Sequence, residues 1–183
     1  MILGQDFDTK LKYESAKKNE SEDISSNTTW KNLLCLLNEA KISPDNCFFT
    51  NAIMGVRNNG SAIGKSPGFK NKIFIEKCQE FFLYQLEMQK PKIILVLGLK
   101  VAEFLSETSN NLDKWRKIKN YKTIDEKNLQ ILKNIKFKNG NVSNLALLMH
   151  PSSRKYNLDK RYYKEKKGKE AQIQMIKEIM NLK

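Results

Sequence analysis

Four short, largely apolar runs separated by segments of helical periodicity constrain this chain more than any other feature. The runs are Met1–Leu3, Cys47–Ile53, Ile93–Leu97 and Leu145–Met149, each about the length of a strand and bounded by polar or turn residues. A strand with one wet face alternates apolar and polar residues, whereas a strand covered on both faces reads as continuously apolar. The order is β-α-β-α-β-α, then a less regular stretch, then a last strand and helix. That order predicts a single-domain, three-layer α/β/α fold over residues 1–183, with a central, mostly parallel four-stranded sheet. A length of 183 residues suits one domain of this kind.

The helical segments are legible from spacing. Trp30, Leu33, Leu34 and Leu37 fall at i, i+3, i+4 and i+7, with Asn27 or Thr28 as the N-cap. Ile73 to Met88 reads as a second helix that turns Ile73, Cys78, Phe81, Phe82 and Leu86 inward, and Pro91 helps to end it. A third begins at Val101–Leu105. Lys164–Leu182 reads as a closing amphipathic helix with Ile173, Ile176, Ile179 and Met180 on one stripe. Asp8–Asn27 and Asn58–Gly68 read as loops, and residues 109–143 as a helix plus a weak strand.

Composition narrows the class further. Hydrophobic residues make up 40% of the chain, enough for a core and too many for wholesale disorder. No apolar run approaches the ~18 residues of a membrane span, and the N-terminus has no signal-peptide pattern. The three cysteines, at 35, 47 and 78, lack CxxC spacing and read as reduced thiols. With a single histidine they form no zinc-ligand pattern. The expectation is a cytoplasmic monomer without a metal. The net charge of +13 is uneven: residues 1–50 sum to −2 and residues 51–183 to +15. Such a surface attracts phosphates. Lysine outnumbers arginine 29 to 4, however, and a compositional bias alone would produce the same excess.

In a doubly wound sheet, ligands bind beyond the carboxyl ends of the strands. The first run leads into Gly4-Gln5-Asp6, the second contains Asn51, the third ends at Gly98, and the last leads into His150-Pro151-Ser152-Ser153-Arg154. A carboxylate, a carboxamide and the one imidazole therefore share a rim. Each also has a plain structural reading: Asp6 as a cap, Asn51 as a turn former, His150 as a hydrogen-bonder in the fold. Cys78 and Trp30 read as core.

The ordered segments GQD, FFTNAIMGVR, CQEFFLYQLEMQKPKIILVLG and LLMHPSSR together resemble the uracil-DNA glycosylase superfamily. The resemblance spans nearly the whole chain. It implies an enzyme that hydrolyses the N-glycosidic bond of uracil or a related deaminated base in DNA, with the nucleotide turned out of the stack. It also implies base excision repair, DNA as partner and no cofactor. By position, Asp6 would stabilise the sugar cation and place the water, and His150 would donate to the departing base. Asn51 would read the base edge, with a backbone N–H around Gln5 facing it and Phe7 stacking on it. Pro151, Ser152, Ser153, Arg154 and Lys155 would meet DNA, and Gly98 would admit a phosphate at a helix start. Three departures stand out. Asp8 occupies the position where the best-known members carry a tyrosine against thymine. Of the iron–sulfur ligands found in some members only Cys78 has a counterpart, so no cluster is expected. GQD follows only three residues, where relatives usually have an upstream helix, which leaves the edge of the first strand less supported.

Two other readings compete. One is the same fold retained as a catalytically inactive module that binds nucleic acid or a nucleotide. The other is an unrelated α/β nucleotide hydrolase, disfavoured because the chain has neither a G-x-x-x-x-G-K-[ST] nor a GxGxxG loop.

Overall fold

The computed structural model describes residues 1–18, 27–58, 64–116, 118–153 and 155–182. In chain order the elements are β1 (Ile2–Gly4), α1 (Lys10–Lys18), α2 (Thr28–Glu39), β2 (Phe49–Asn51), α3 (Lys72–Gln89), β3 (Ile93–Leu97) and α4 (Leu99–Ser106). They continue with α5 (Asp113–Arg116), α6 (Tyr121–Glu126), β4 (Ile131–Lys136), β5 (Val142–Leu148), α7 (Lys155–Leu158), β6 (Tyr162–Tyr163), β7 (Lys166–Lys167) and α8 (Gly168–Met180). The main sheet runs β2-β1-β3-β5-β4, parallel except for β4, which pairs antiparallel with β5. The fold class is the mostly parallel α/β sheet expected, with five strands rather than four.

The fifth strand is the weak one foreseen within residues 109–143. As an edge strand with one partner, β4 keeps several residues exposed, so it lacks the continuous apolar run of the inner strands. Its register to β5 shifts between Leu132 and Ile135, where Asn134 has φ 53°. β1 is no edge at all: it lies between β2 and β3, and the Met1 ammonium donates to Ile93 O at 2.9 Å.

Each inner strand splits its side chains between two cores. Leu3, Ile94, Val96, Leu145 and Leu147 pack with Cys78, Phe82 and Leu86 of α3 and with Val101 and Leu105 of α4. Ile2, Leu95, Leu97, Ala146 and Leu148 pack with Leu33, Leu36 and Leu37 of α2 and with Met175, Ile176 and Ile179 of α8. Two buried faces explain the unbroken apolar runs.

Three local expectations shift. Ile73 and Phe81 are 72% and 43% exposed, so α3 buries the narrower stripe Cys78, Phe82 and Leu86. The closing helix starts at Gly168, because Tyr162–Tyr163 and Lys166–Lys167 form a hairpin turned at Lys164, which has φ 54°. The acidic loop after Asp8 contains α1, while residues 19–26 and 59–63 of the two foreseen loops lie outside the described residues. Asn27 caps α2 as foreseen, accepting from the N–H groups of Thr29 and Trp30.

Among the described residues no helix is long and apolar enough to cross a membrane.

Candidate functional site

The chain leaves β1 toward β2 on one side and later places β3 and β5 on the other, so the switch point lies between β1 and β3. Gly4 pairs with Asn51 in the parallel register of β1 and β2. The approach is close: a Cβ on Gly4 would stand 2.4 Å from Asn51 Oδ1, inside any real contact distance. Only glycine lets the Asn51 carboxamide lie across β1. No described residue hydrogen-bonds that carboxamide, whereas the turn's backbone is tied down by Ala52 N–H to Gly4 O and Ile53 N–H to Gln5 O, both at 2.9 Å.

Asp6, just past β1, has a charged partner. Its Oδ2 accepts from Nε of Arg57 at 2.8 Å, and the two side chains are 7% and 4% exposed. Its Oδ1 faces the N–H of Asp8 at a longer 3.3 Å. Arg57 is the site residue that sequence reasoning missed. It sits six residues past Asn51, at the end of the FFTNAIMGVR segment and just before the Asn58–Gly68 loop, and nothing in its neighbours announces a partner near the N-terminus.

His150 is half-buried just past β5. Its Nδ1 lies 2.8 Å from Ser152 Oγ and 3.3 Å from Ser152 N. A backbone N–H can only donate, so Nδ1 must hold a lone pair, and the ring proton belongs on Nε2. Burial pushes the imidazole below its ordinary value of 6.5, Asp6 pulls it up, and Arg57 pushes it down again. Both charges therefore lie near enough to act on the ring, which stays neutral at pH 7. Its segment is held by two helices of one face of the sheet: Asn32 of α2 donates to Pro151 O at 2.8 Å, and Met149 N–H donates to Gln172 of α8 at 2.6 Å. Ser153 N–H closes the turn onto His150 O at 2.9 Å. Arg154 lies outside the described residues, and Lys155 begins α7.

Gly98 has φ 106°, a conformation that side-chain-bearing residues rarely adopt. It is buried against His150, whose Cβ would lie 3.6 Å from a Cβ placed there. Its N–H donates to Leu148 O at 2.9 Å, and α4 starts at the next residue, Leu99. Below it, the buried Tyr121 hydroxyl meets the backbone of Leu99 and His150, and burial raises it to about 12. The guanidinium of Arg161, fully buried, lies 4.6 Å from the Tyr121 ring centroid and 3.2 Å from Asp125 Oδ1. The second geometry is close enough to pair the charges but is not aligned as a hydrogen bond.

The remaining expected residues fall around this centre. Gln5 Nε2 donates to Gly64 O at 3.0 Å. Phe7 is 39% exposed and meets Tyr13 of α1 edge-on at 6.4 Å. Asp8, at the position of the family's tyrosine, has φ 68°; its carboxylate accepts from Thr9 N–H at 2.7 Å and from Lys12 at 3.2 Å. It is thus engaged with the start of α1. Cys78 is buried, with its Sγ 3.5 Å from Met54 N. A cavity of about 290 Å³ borders the Arg57 side, lined by Ile53, Gly55, Ser66 and Phe74 among others but not by Asp6, Asn51 or His150.

The class so defined is a mostly parallel, helix-covered α/β sheet with its polar side chains gathered at the carboxyl edge. The model of the uracil DNA glycosylase superfamily matches residues 19–177, and the chain belongs to that superfamily. The matched segment contains Asn51, Arg57 and His150; Gly4–Asp6 precede it and join the site through the β1–β2 pairing. No curated protein matches the chain.

Proposed function

We propose that this protein is a DNA glycosylase that hydrolyses the N-glycosidic bond of uracil or a related deaminated base in DNA. The observation that carries the reading is a carboxylate held past the end of β1, Asp6, and an imidazole past the end of β5, His150, whose Nδ1 accepts from the Ser152 N–H, both at the carboxyl edge of the sheet. Breaking an N-glycosidic bond leaves positive charge on the sugar and negative charge on the base. Asp6 stabilises the first and positions the attacking water. His150, its Nδ1 facing Ser152, donates from Nε2 to the oxygen of the departing base. A neutral donor suits this step, because it shares its proton with the developing anion from a preorganised position.

Asn51 supplies the selection. Its carboxamide oxygen accepts from N3–H of uracil and its NH₂ donates to O4, whereas cytosine presents the reverse pattern and leaves both groups unpaired. The absence of any described partner for this amide supports the role. Phe7, exposed beside the turn, stacks on the base, and a backbone N–H of the Gln5 turn faces it. Pro151, Ser152 and Ser153, with Arg154 and Lys155, meet the DNA backbone.

The test uses single- and double-stranded oligonucleotides carrying uracil, hypoxanthine or xanthine, followed by alkali cleavage at the abasic site. Strand scission with at least one, lost in Asp6→Asn and His150→Leu, is the expected result. An intact strand with all of them sinks the reading and favours the non-catalytic binding module.

A further inference from the structure

We propose that Arg57 is a positioning residue for this hydrolysis, acting through Asp6 and not on the substrate. The inference rests on the glycosylase reading and deepens it.

Arg57 is anchored at three levels. Its N–H donates to Asp8 O at 2.8 Å and its carbonyl accepts from Lys10 N–H at 2.9 Å, which fixes where the side chain starts. Nη2 donates to Gly64 O at 2.9 Å, the same carbonyl that accepts from Gln5. Nε then reaches Asp6 Oδ2 at 2.8 Å. A guanidinium is planar and holds its donors in a rigid fork, so this contact sets the rotation of the carboxylate. Oδ2 is bound at 2.8 Å and Oδ1 only by the longer 3.3 Å contact from the Asp8 N–H, so Oδ1 is the less engaged oxygen and the one to turn toward a water and the sugar. The cation lies on the far oxygen, so a positive charge developing beside Oδ1 meets the carboxylate first and the guanidinium at greater distance.

A buried ion pair that served only the fold would occupy the same coordinates. Kinetics separates the two. The parent, Arg57→Gln, Arg57→Lys, Asp6→Asn and the Asp6→Asn/Arg57→Gln double variant are compared on a base-modified oligonucleotide the parent cleaves, under single-turnover conditions. The half-saturating DNA concentration and the thermal midpoint are measured alongside. Arg57→Gln is expected to slow cleavage about 10²-fold, the scale of a displaced catalytic group, with half-saturation moved by less than about threefold. Arg57→Lys is expected to recover roughly tenfold of that loss by restoring a point charge. In the Asp6→Asn background Arg57→Gln is expected to cost nothing further, because residues acting through one another are not additive.

A full, additive loss in that background overturns the inference. So does a loss carried mainly by weaker DNA binding, or an Arg57→Gln protein as fast as the parent. Should Arg57→Gln fail to fold, Arg57→Lys decides: slower cleavage with unchanged binding supports the role and a parental rate overturns it. A parent inert on every oligonucleotide overturns the glycosylase reading and this inference together, so the parent's own activity tells the two failures apart.

Discussion

His150 is the only histidine in the chain, so its ring gives an isolated signal that can be titrated without assignment. Burial lowers its midpoint below 6.5, Asp6 raises it and Arg57 lowers it. In an NMR titration the midpoint is expected below 6.5, moving further down in Asp6→Asn and up in Arg57→Gln. Shifts of the opposite sign would place the two charges elsewhere. The same depression links to stability. Between the folded and unfolded midpoints the unfolded chain binds more protons, so stability rises with pH there. The contribution is complete above 6.5 and is lost as pH falls toward the folded midpoint; His150→Asn should lose this slope in urea melts at stepped pH. Asp6, Asn51 and His150 were legible in the sequence as candidates because each stands in or just past an apolar run, where a polar side chain needs a reason. Arg57 was not, because its partner is 51 positions away and the two meet only through the parallel pairing of β1 with β2 and its continuation at Thr9 and Arg57.

At the scale of elements, the β1–β2 pair is where packing and chemistry meet. Gly4→Ala would drive a Cβ to 2.4 Å from Asn51 Oδ1, and something must move. The expected cost is about 1–3 kcal/mol in urea denaturation, the usual range for overpacking. Weaker discrimination of uracil from cytosine should accompany it, read as a ratio of cleavage rates. A stable variant with parental discrimination would show that Asn51 does not need its place over Gly4. The inner strands were legible because two buried faces leave continuous apolar runs. β4 was seen only as a weak strand, since an antiparallel edge with exposed residues resembles a polar loop. On α3 the spacing admitted a wider buried face than the neighbours cover, because periodicity says which residues align and not how broad the opposing surface is.

For the molecule as a whole, the excess of positive charge after residue 50 bears on how DNA is met. Several lysines are committed to partners one helical turn away, such as Lys77 with Glu80 and Lys100 with Glu103. Such exposed pairs are individually weak and can give way to phosphates. Filter binding of a DNA duplex between 50 and 200 mM salt should weaken at least about tenfold, since each neutralised phosphate releases counterions. An affinity indifferent to salt would detach the basic surface from DNA. Composition alone could not decide this, because a lysine-rich bias and a phosphate-binding surface count the same.

The buried Asp6–Arg57 pair also changes how the site looks from afar. An approaching polyanion would be repelled by a bare carboxylate at the heart of its landing surface. Held 2.8 Å from a guanidinium, that carboxylate presents itself at about 10 Å as a dipole, whose field has faded by the time it reaches a phosphate. At contact distance the two ends separate again, and a sugar resting against Oδ1 meets the negative one. On the glycosylase reading, the centre would be electrically quiet to the strand and polarised toward the single nucleotide turned into it.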